Sequence, residues 1–282
     1  MGVLNVTPDS FFDGGQYQAL DKALQRVSDM VEQGADLIDI GGESTRPGAS
    51  SPSETEEVAR VLPVLEAIQA RFDIPISVDT STPSVMAAAV KLKVALINDV
   101  RAFVRPGALD AIGSDVMLAV MHMLGTPATM QDDPQYQDVV REVDEFFLNR
   151  LAALQHSGIE RSRILLDPGF GFGKTLDQNF NLVQSLEVFR QHGCPILIGL
   201  SRKRSIQAMG RDVLAGSVAG ALAAVARGAN MVRVHDVEAT VSALRVWQAI
   251  NCAKEKRRMR KYFGTDGIRG PVGTPPITAD FV

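Results

Sequence analysis

Eight short apolar, β-rich runs punctuate this chain and longer amphipathic stretches separate them, a pattern that constrains the fold more than any other feature. The runs are residues 2–6, 36–40, 74–78, 94–98, 116–121, 163–166, 195–200 and 230–234. For most of the chain they recur at roughly 25- to 40-residue spacing, the length of a βα unit. They are nearly all apolar rather than alternating with polar residues, as parallel strands covered on both faces require. Between them, residues 17–33 place Leu20, Ala23, Leu24, Val27, Met30 and Val31 at helical spacing and stop at Gly34. Residues 54–71, 138–156, 176–191, 214–227 and 239–253 read the same way. Eight such units predict an α/β architecture, a closed (β/α)8 TIM barrel. The competing open, doubly wound sheet would carry a glycine-rich turn after its first strand. Here that turn is Thr7-Pro8-Asp9-Ser10.

Composition narrows the function classes. The chain has 282 residues, of which 45% are hydrophobic and 22% charged. That suits one barrel with a large core. Its net charge of −4 implies no sequence-independent grip on nucleic acid. The two cysteines, Cys194 and Cys252, are too few for a disulfide framework. No stretch reads as a signal peptide or a membrane span. A cytoplasmic protein that binds neither membrane nor nucleic acid is expected.

Polar residues gather where the runs end. Asn5, Glu43-Ser44-Thr45-Arg46, Asp79, Asn98-Asp99, His122, Asp167, Ser201-Arg202-Lys203, Arg233 and His235-Asp236 all follow or close a run. In a barrel those positions rim one mouth, the end that holds active sites. Asp79 and Asp167 end apolar runs, where a carboxylate is costly without a donor-rich partner. With Asn98 they suit the N–H edge of an aminopyrimidine, although either aspartate taken alone also fits a helix N-cap. Lys203, Arg202, Arg233, His235 and Arg46 form a cationic set suited to a phosphate or diphosphate; singly, each fits a solvated rim. The histidine spacing argues against structural zinc, so a participating metal would be Mg²⁺ held through substrate phosphates. The segment Gly169-Phe170-Gly171-Phe172-Gly173-Lys174-Thr175 fails the spacing of nucleotide-binding loops and reads as a substrate loop whose glycines permit unusual backbone angles.

These segments resemble a known family. Asn5-Val6-Thr7-Pro8-Asp9-Ser10-Phe11 and Gly41-Gly42-Glu43-Ser44-Thr45-Arg46-Pro47-Gly48 resemble the two signature segments of dihydropteroate synthases. Ser77-Val78-Asp79-Thr80-Ser81, Asn98-Asp99-Val100-Arg101, Met121-His122-Met123, Asp167 to Lys174, Ser201-Arg202-Lys203 and Arg233-Val234-His235-Asp236 follow in family order. The resemblance covers residues 1–255, a pterin-binding barrel domain. It implies condensation of (7,8-dihydropterin-6-yl)methyl diphosphate with 4-aminobenzoate, giving 7,8-dihydropteroate and pyrophosphate. It implies that Asp79, Asn98 and Asp167 hold the pterin, with Lys203 near it and Val100 and Met123 packed beside it. Asn5 would meet Mg²⁺ on the diphosphate, and Arg233, Val234 and His235 would lie at the diphosphate itself. Thr45, Arg46, Pro47, Phe172 and Lys203 would shape the aminobenzoate site, and residues 7–11 and 42–50 would be mobile loops. Asp79, Asp167, Lys203, Arg233 and His235 are the residues expected to carry catalysis. A homodimer and competition by sulfonamides are implied as well. Two other readings stay open: a truncated pterin-binding barrel with little activity, and a pterin-dependent methyltransferase.

Two departures from the family stand out. The chain starts at Met1 directly on the first run, without the N-terminal segment usual in the family, so the barrel floor is expected to be less covered. Residues 259–282 resemble the extreme N-terminus of phosphoglucosamine mutases, and 256–282 are expected to form a basic linker and a disordered tail.

Overall fold

A computed structural model describes residues 1–7, 15–44, 52–126, 129–130 and 134–251. The expected mutase-like tail, Cys252, and the signature residues Thr45, Arg46 and Pro47 lie outside the described residues. So do positions 8–11 and 45–50 of the two expected loops.

Each of the eight runs holds a strand. β1 (Gly2–Asn5), β2 (Ile38–Gly41), β3 (Ile76–Asp79), β4 (Leu96–Asp99), β5 (Met117–Met121) and β6 (Ile164–Asp167) form one continuous parallel sheet in chain order. β7 (Leu197–Ile198) and β8 (Met231–Val232) pair in parallel beside it. Backbone hydrogen bonds close the ring at both seams. The Leu166 N–H donates to the Pro195 carbonyl at 2.9 Å, and the Val3 N–H donates to the Val234 carbonyl at 3.0 Å. The result is the predicted eight-stranded barrel. β2, β3 and β4 begin two residues later than the apolar runs suggest. Pro75, which cannot donate to a ladder, accounts for the shift at β3. β3, β4 and β6 also run one residue past their apolar runs, so Asp79, Asp99 and Asp167 lie inside the strands as their last residues.

The helices between strands are α1 (Gly15–Glu32), α2 (Glu54–Gln69), α3 (Pro83–Lys91), α4 (Ala108–Ala111), α5 (Val139–His156), α6 (Leu176–Gln184), α7 (Arg204–Gln207), α8 (Val213–Val225) and α9 (Val237–Asn251). Local chemistry sets their starts. Ser53 with Glu56 and Thr175 with Gln178 form capping boxes at α2 and α6. Asp138 and Asp212 accept first-turn N–H groups of α5 and α8. The helix expected over 176–191 divides at Ser185, and Leu186–His192 is a 3₁₀ segment. Its buried residues, Leu186, Phe189 and His192, recur every three positions, and three residues make one 3₁₀ turn. None of the described helices is long and apolar enough to cross a membrane.

Strand alternation divides the core. Leu4, Ile38, Ile40, Val78, Ile97, Leu118, Val120, Ile164, Leu166, Ile196 and Ile198 face the helices in one large cluster. Met1, Leu37, Leu96, Ala119, Leu165 and Leu197 form a second, smaller cluster inside the ring. They form an apolar plug inside the ring, and Met1 and Leu37 are only 8% and 7% exposed. Above this apolar plug the inward positions turn polar, and there the site begins.

Candidate active site

The register of the sheet brings the acceptors together. Gly41 lies beside Asp79, and Asp79 beside Asn98. Asp167 closes β6 next to Met121. One layer deeper, Asp39 stands opposite Ser77 and is completely buried. Arg233 enters from the end of β8. Its Nε donates to Asp39 Oδ2 at 2.5 Å and its Nη2 to Asp79 Oδ2 at 2.8 Å. Asn98 Nδ2 also reaches Asp39 Oδ2, at 3.4 Å. Asp39 Oδ1 is buried and has no hydrogen-bond partner among the described residues.

The burial that makes this pocket also sets its protonation. Loss of water pushes Asp79 up to about 7; Arg233 opposes the shift, while Asp39, Asp99 and Glu43 add to it. Burial raises Asp167 as well, against the pull of Lys203 and of the Gly169 N–H that donates to its Oδ1 at 2.8 Å. Arg233 also loses water, yet Asp39 and Asp79 outweigh that loss and hold it charged. The pocket thus contains carboxyls short of donors, which a flat ligand edge rich in N–H groups would satisfy.

Opposite them lies Lys203, at the start of α7. Its Nζ donates to the Phe170 carbonyl and sits 4.5 Å from the centre of the Phe172 ring, a cation–π contact. Burial lowers Lys203 to about 8, with Asp167 pulling the other way. The loop carrying Phe170 and Phe172 is pinned from beneath by Lys174, which is 4% exposed. Lys174 Nζ donates to the carbonyls of Phe172 at 2.9 Å and Gly169 at 3.0 Å, and lies 3.0 Å from His122 Nδ1. Burial and then the Lys174 charge lower His122 to about 2, so this histidine is neutral. Where the Lys174 amine is protonated, His122 Nδ1 accepts from it and the ring proton sits on Nε2.

The expected cationic set is smaller than its sequence suggests. Arg202 turns away into an ion pair with Asp236, with Nε 2.9 Å from Oδ2. Burial, then Arg233 and Arg202, lower His235 to about 4, so at neutral pH it is an uncharged imidazole. Its Nδ1 lies 3.1 Å from Ser201 Oγ. Lys203 and Arg233 are the expected cations that the structure brings to the pocket; Arg46 lies outside the described residues. Val234 belongs to the apolar cluster facing the helices, on the opposite side of its strand from Arg233. Val100 is 5% exposed at the end of β4, and Met123 and Phe172 are partly buried. Asn5 ends β1, and Asn5 Oδ1 and Asp79 Oδ2 converge on Gly41: a methyl group there would meet them at 3.7 and 3.8 Å.

The rim is braced separately. Glu43 pairs with both terminal nitrogens of Arg101 at 2.8 Å. Asp99 accepts from Ser81 and from the Arg101 and Phe103 N–H groups. Buried Glu57 accepts from Thr80 Oγ1 at 2.6 Å and Thr82 Oγ1 at 2.5 Å. Asp99 and Glu43, polar strand-end residues like Asp79, therefore hold the loops rather than face the pocket. Sequence reasoning missed Asp39 and Lys174. The available signal for Asp39 was a carboxylate between two isoleucines in a buried run, which demands a partner.

The chain matches the pterin binding enzyme family over residues 1–235. It is 46% identical over 263 residues to dihydropteroate synthase of Escherichia coli strain K12, covering 92% of this chain and 93% of that protein. The crystal structure of Yersinia pestis dihydropteroate synthase with a sulfonamide drug superposes with a TM-score of 0.84 at 44% identity, covering 90% of this chain and 93% of that one. The Xanthomonas albilineans dihydropteroate synthase in complex with 7,8-dihydropteroate gives a TM-score of 0.79 at 47% identity, covering 89% and 92%.

Proposed function

Because the chain belongs to the pterin-binding enzymes, and within them to the dihydropteroate synthases, we infer that it condenses (7,8-dihydropterin-6-yl)methyl diphosphate with 4-aminobenzoate. The observation that carries this for the chain itself is the gathering of Asp79 and Asp167, both raised by loss of water, with Lys203 and Arg233 in one barrel mouth. The carboxyls and Asn98 bind the aminopyrimidine edge, and Val100 and Met123 line it. The C–O bond to the diphosphate breaks, and pyrophosphate leaves with the electron pair. The amine lone pair of 4-aminobenzoate forms the new C–N bond and the amine then loses a proton. Asp79 and Asp167 stabilise the positive charge that develops on the pterin as the leaving group departs. Neutral His235 and charged Arg233 receive the diphosphate. Lys203 and Phe172 form the wall against which the aminobenzoate ring lies; the family resemblance assigns Thr45, Arg46 and Pro47 to the same substrate. No side chain needs to act as a nucleophile.

Mg²⁺ fits the donor chemistry present. Among the described residues no group of three or more His, Cys, Asp or Glu could cage a metal, whereas Mg²⁺ commonly takes few protein ligands and several phosphate oxygens. The oxygen of Asn5, beside Asp79 at the strand ends, would hold it, and the ion would neutralise charge on the leaving group. A homodimer, a cytoplasmic location and competition by sulfonamides for the aminobenzoate site accompany this reading.

The test is pyrophosphate release by the purified chain given both substrates and Mg²⁺. Release that needs both substrates supports the reading; pterin binding without release would leave a binding barrel in its place. In Asp167→Ala, calorimetric titration should show pterin affinity falling by about tenfold or more, the scale of one lost charge-assisted hydrogen bond. Unchanged affinity would remove Asp167 from the pocket.

A further inference from the structure

Beneath the substrate loop lies a buried cation to which the reading above gives no chemical task. Lys174 is enclosed, yet among the described residues no carboxylate accepts from it. Its Nζ lies 2.9–3.0 Å from two carbonyl oxygens of its own loop, Gly169 and Phe172, and from His122 Nδ1 in the segment after β5. The His122 carbonyl lies a little further off, at 3.5 Å. Burial lowers Lys174 to about 7; Asp167 opposes that shift and Lys203 adds to it. Enclosing this amine among neutral acceptors is an expensive way to hold a loop, so its geometry has to matter.

The backbone shows what it holds. Gly169 and Gly173 have φ of +69° and +64°. A methyl group on Gly169 would come within 1.8 Å of the His122 carbonyl oxygen, and one on Gly173 within 2.8 Å of the Leu124 carbonyl oxygen. The loop is therefore pressed, backbone on backbone, against residues 122–124, and Lys174 is the side chain that ties both surfaces together. The same loop supplies both contacts of Lys203, the Phe170 carbonyl and the Phe172 ring. Gly171, at φ +82°, lies so close that a methyl group would meet Lys203 Cδ at 3.0 Å.

We infer that Lys174 is a positioning residue for the aminobenzoate half of the reaction. Its amino group clasps Gly169, Phe172 and His122, and so sets the Phe172 ring against Lys203. It touches neither substrate. The inference rests on the assignment of Phe172 and Lys203 to the aminobenzoate wall, and its test separates the two claims.

Lys174→Met keeps the length and removes the donors. Lys174→Gln keeps two N–H donors, enough for two of the three acceptors. The expected order of KM for 4-aminobenzoate is wild type, then Gln, then Met, with Met raised by about tenfold while pterin affinity by titration stays within about threefold, because only one substrate's binding is disturbed. Phe172→Ala added to Lys174→Met should raise KM no further, since both changes break one arrangement. Equal losses for both substrates, a Gln variant no better than Met, or additive effects in the double variant would each overturn the inference. Hydrogen exchange of substrate-free protein supplies a readout independent of turnover. The amides of residues 170–173 should exchange faster in both variants than in wild type, and unchanged protection would refute the clasp. Loss of loop protection in the Lys174 variants of a chain whose wild type never turns over would defeat the proposed function while leaving the clasp standing.

Discussion

At the scale of single residues, the pocket is governed by how far Asp39, Asp79 and Arg233 are removed from water. Asp39 is fully enclosed and holds the Arg233 Nε, whereas Asp79 stands at the strand end with its side chain 16% exposed and holds Nη2. Arg233 thus has a deep seat and a shallow one, and Asp79 is the partner placed to exchange the guanidinium for a ligand. The protonation of Asp79 has a stability consequence. Burial raises it to about 7, so the folded protein keeps a proton that an unfolded chain releases near the usual aspartate value of about 3.9. The contribution of this group is full below about pH 4, declines as pH rises toward about 7, and is absent above that. Asp167 and Asp99 shift in the same direction. Urea unfolding of wild type and Asp79→Asn between pH 4 and 8 should therefore show wild type losing stability relative to the variant as pH rises. A gap that stays constant over that range would mean that Asp79 titrates normally. Asp79, Asn98 and Asp167 were legible because each closes an apolar run. Asp39 was not, because it sits mid-run, where periodicity records only that the strand is buried. Lys174 was hidden for another reason: its acceptors are backbone carbonyls and a histidine more than fifty positions away, which no spacing rule anticipates.

At the scale of elements, strands were easier to read than the loops that carry the chemistry. The apolar runs located all eight strands, with errors of up to two residues at the edges. Leu186–His192 reads as helix because a three-residue and a 3.6-residue repeat differ little over two turns. The loop after β6 posed a different problem. Its glycines suggest freedom, but in the folded chain they permit close approach. Gly169→Ala therefore places a methyl group 1.8 Å from the His122 carbonyl oxygen at φ +69°. The backbone strain alone costs about 1–3 kcal/mol, and the clash adds to it. Gly158, after α5, has φ +82° but open space around it, so Gly158→Ala should cost only about 1–2 kcal/mol, the left-handed penalty by itself. Denaturant unfolding of the two variants separates these causes. Equal losses would show that the 169–174 loop yields to accommodate the methyl group, and that its contact with residues 122–124 is looser than those distances imply.

At the scale of the whole molecule, closure of the barrel follows from counting: eight parallel units with no open edge bury an apolar floor beneath one polar mouth. The outer surface is less determined by that count. Most exposed apolar side chains are scattered, which is ordinary for a protein surface. α9 differs, because Val246 and Ile250 are 61% and 71% exposed and, four residues apart, lie on one face of the helix. Its neighbour α8 is built almost wholly from Ala, Val, Leu and Gly, and exposes Leu214 at 45%. The buried side of α9, at Val237 and Thr240, already satisfies packing against the barrel, so Val246 and Ile250 are not needed for the fold of one copy. If the homodimer forms through this face, sedimentation equilibrium should give twice the mass of the 30.4 kDa chain. Val246→Lys combined with Ile250→Lys should then bring the mass to that of one chain without lowering the unfolding temperature of the monomer, since charges on an exposed face cost little. A wild-type chain that sediments as a monomer at micromolar concentration would refute the dimer. A double variant that stays dimeric would move the interface elsewhere on the barrel.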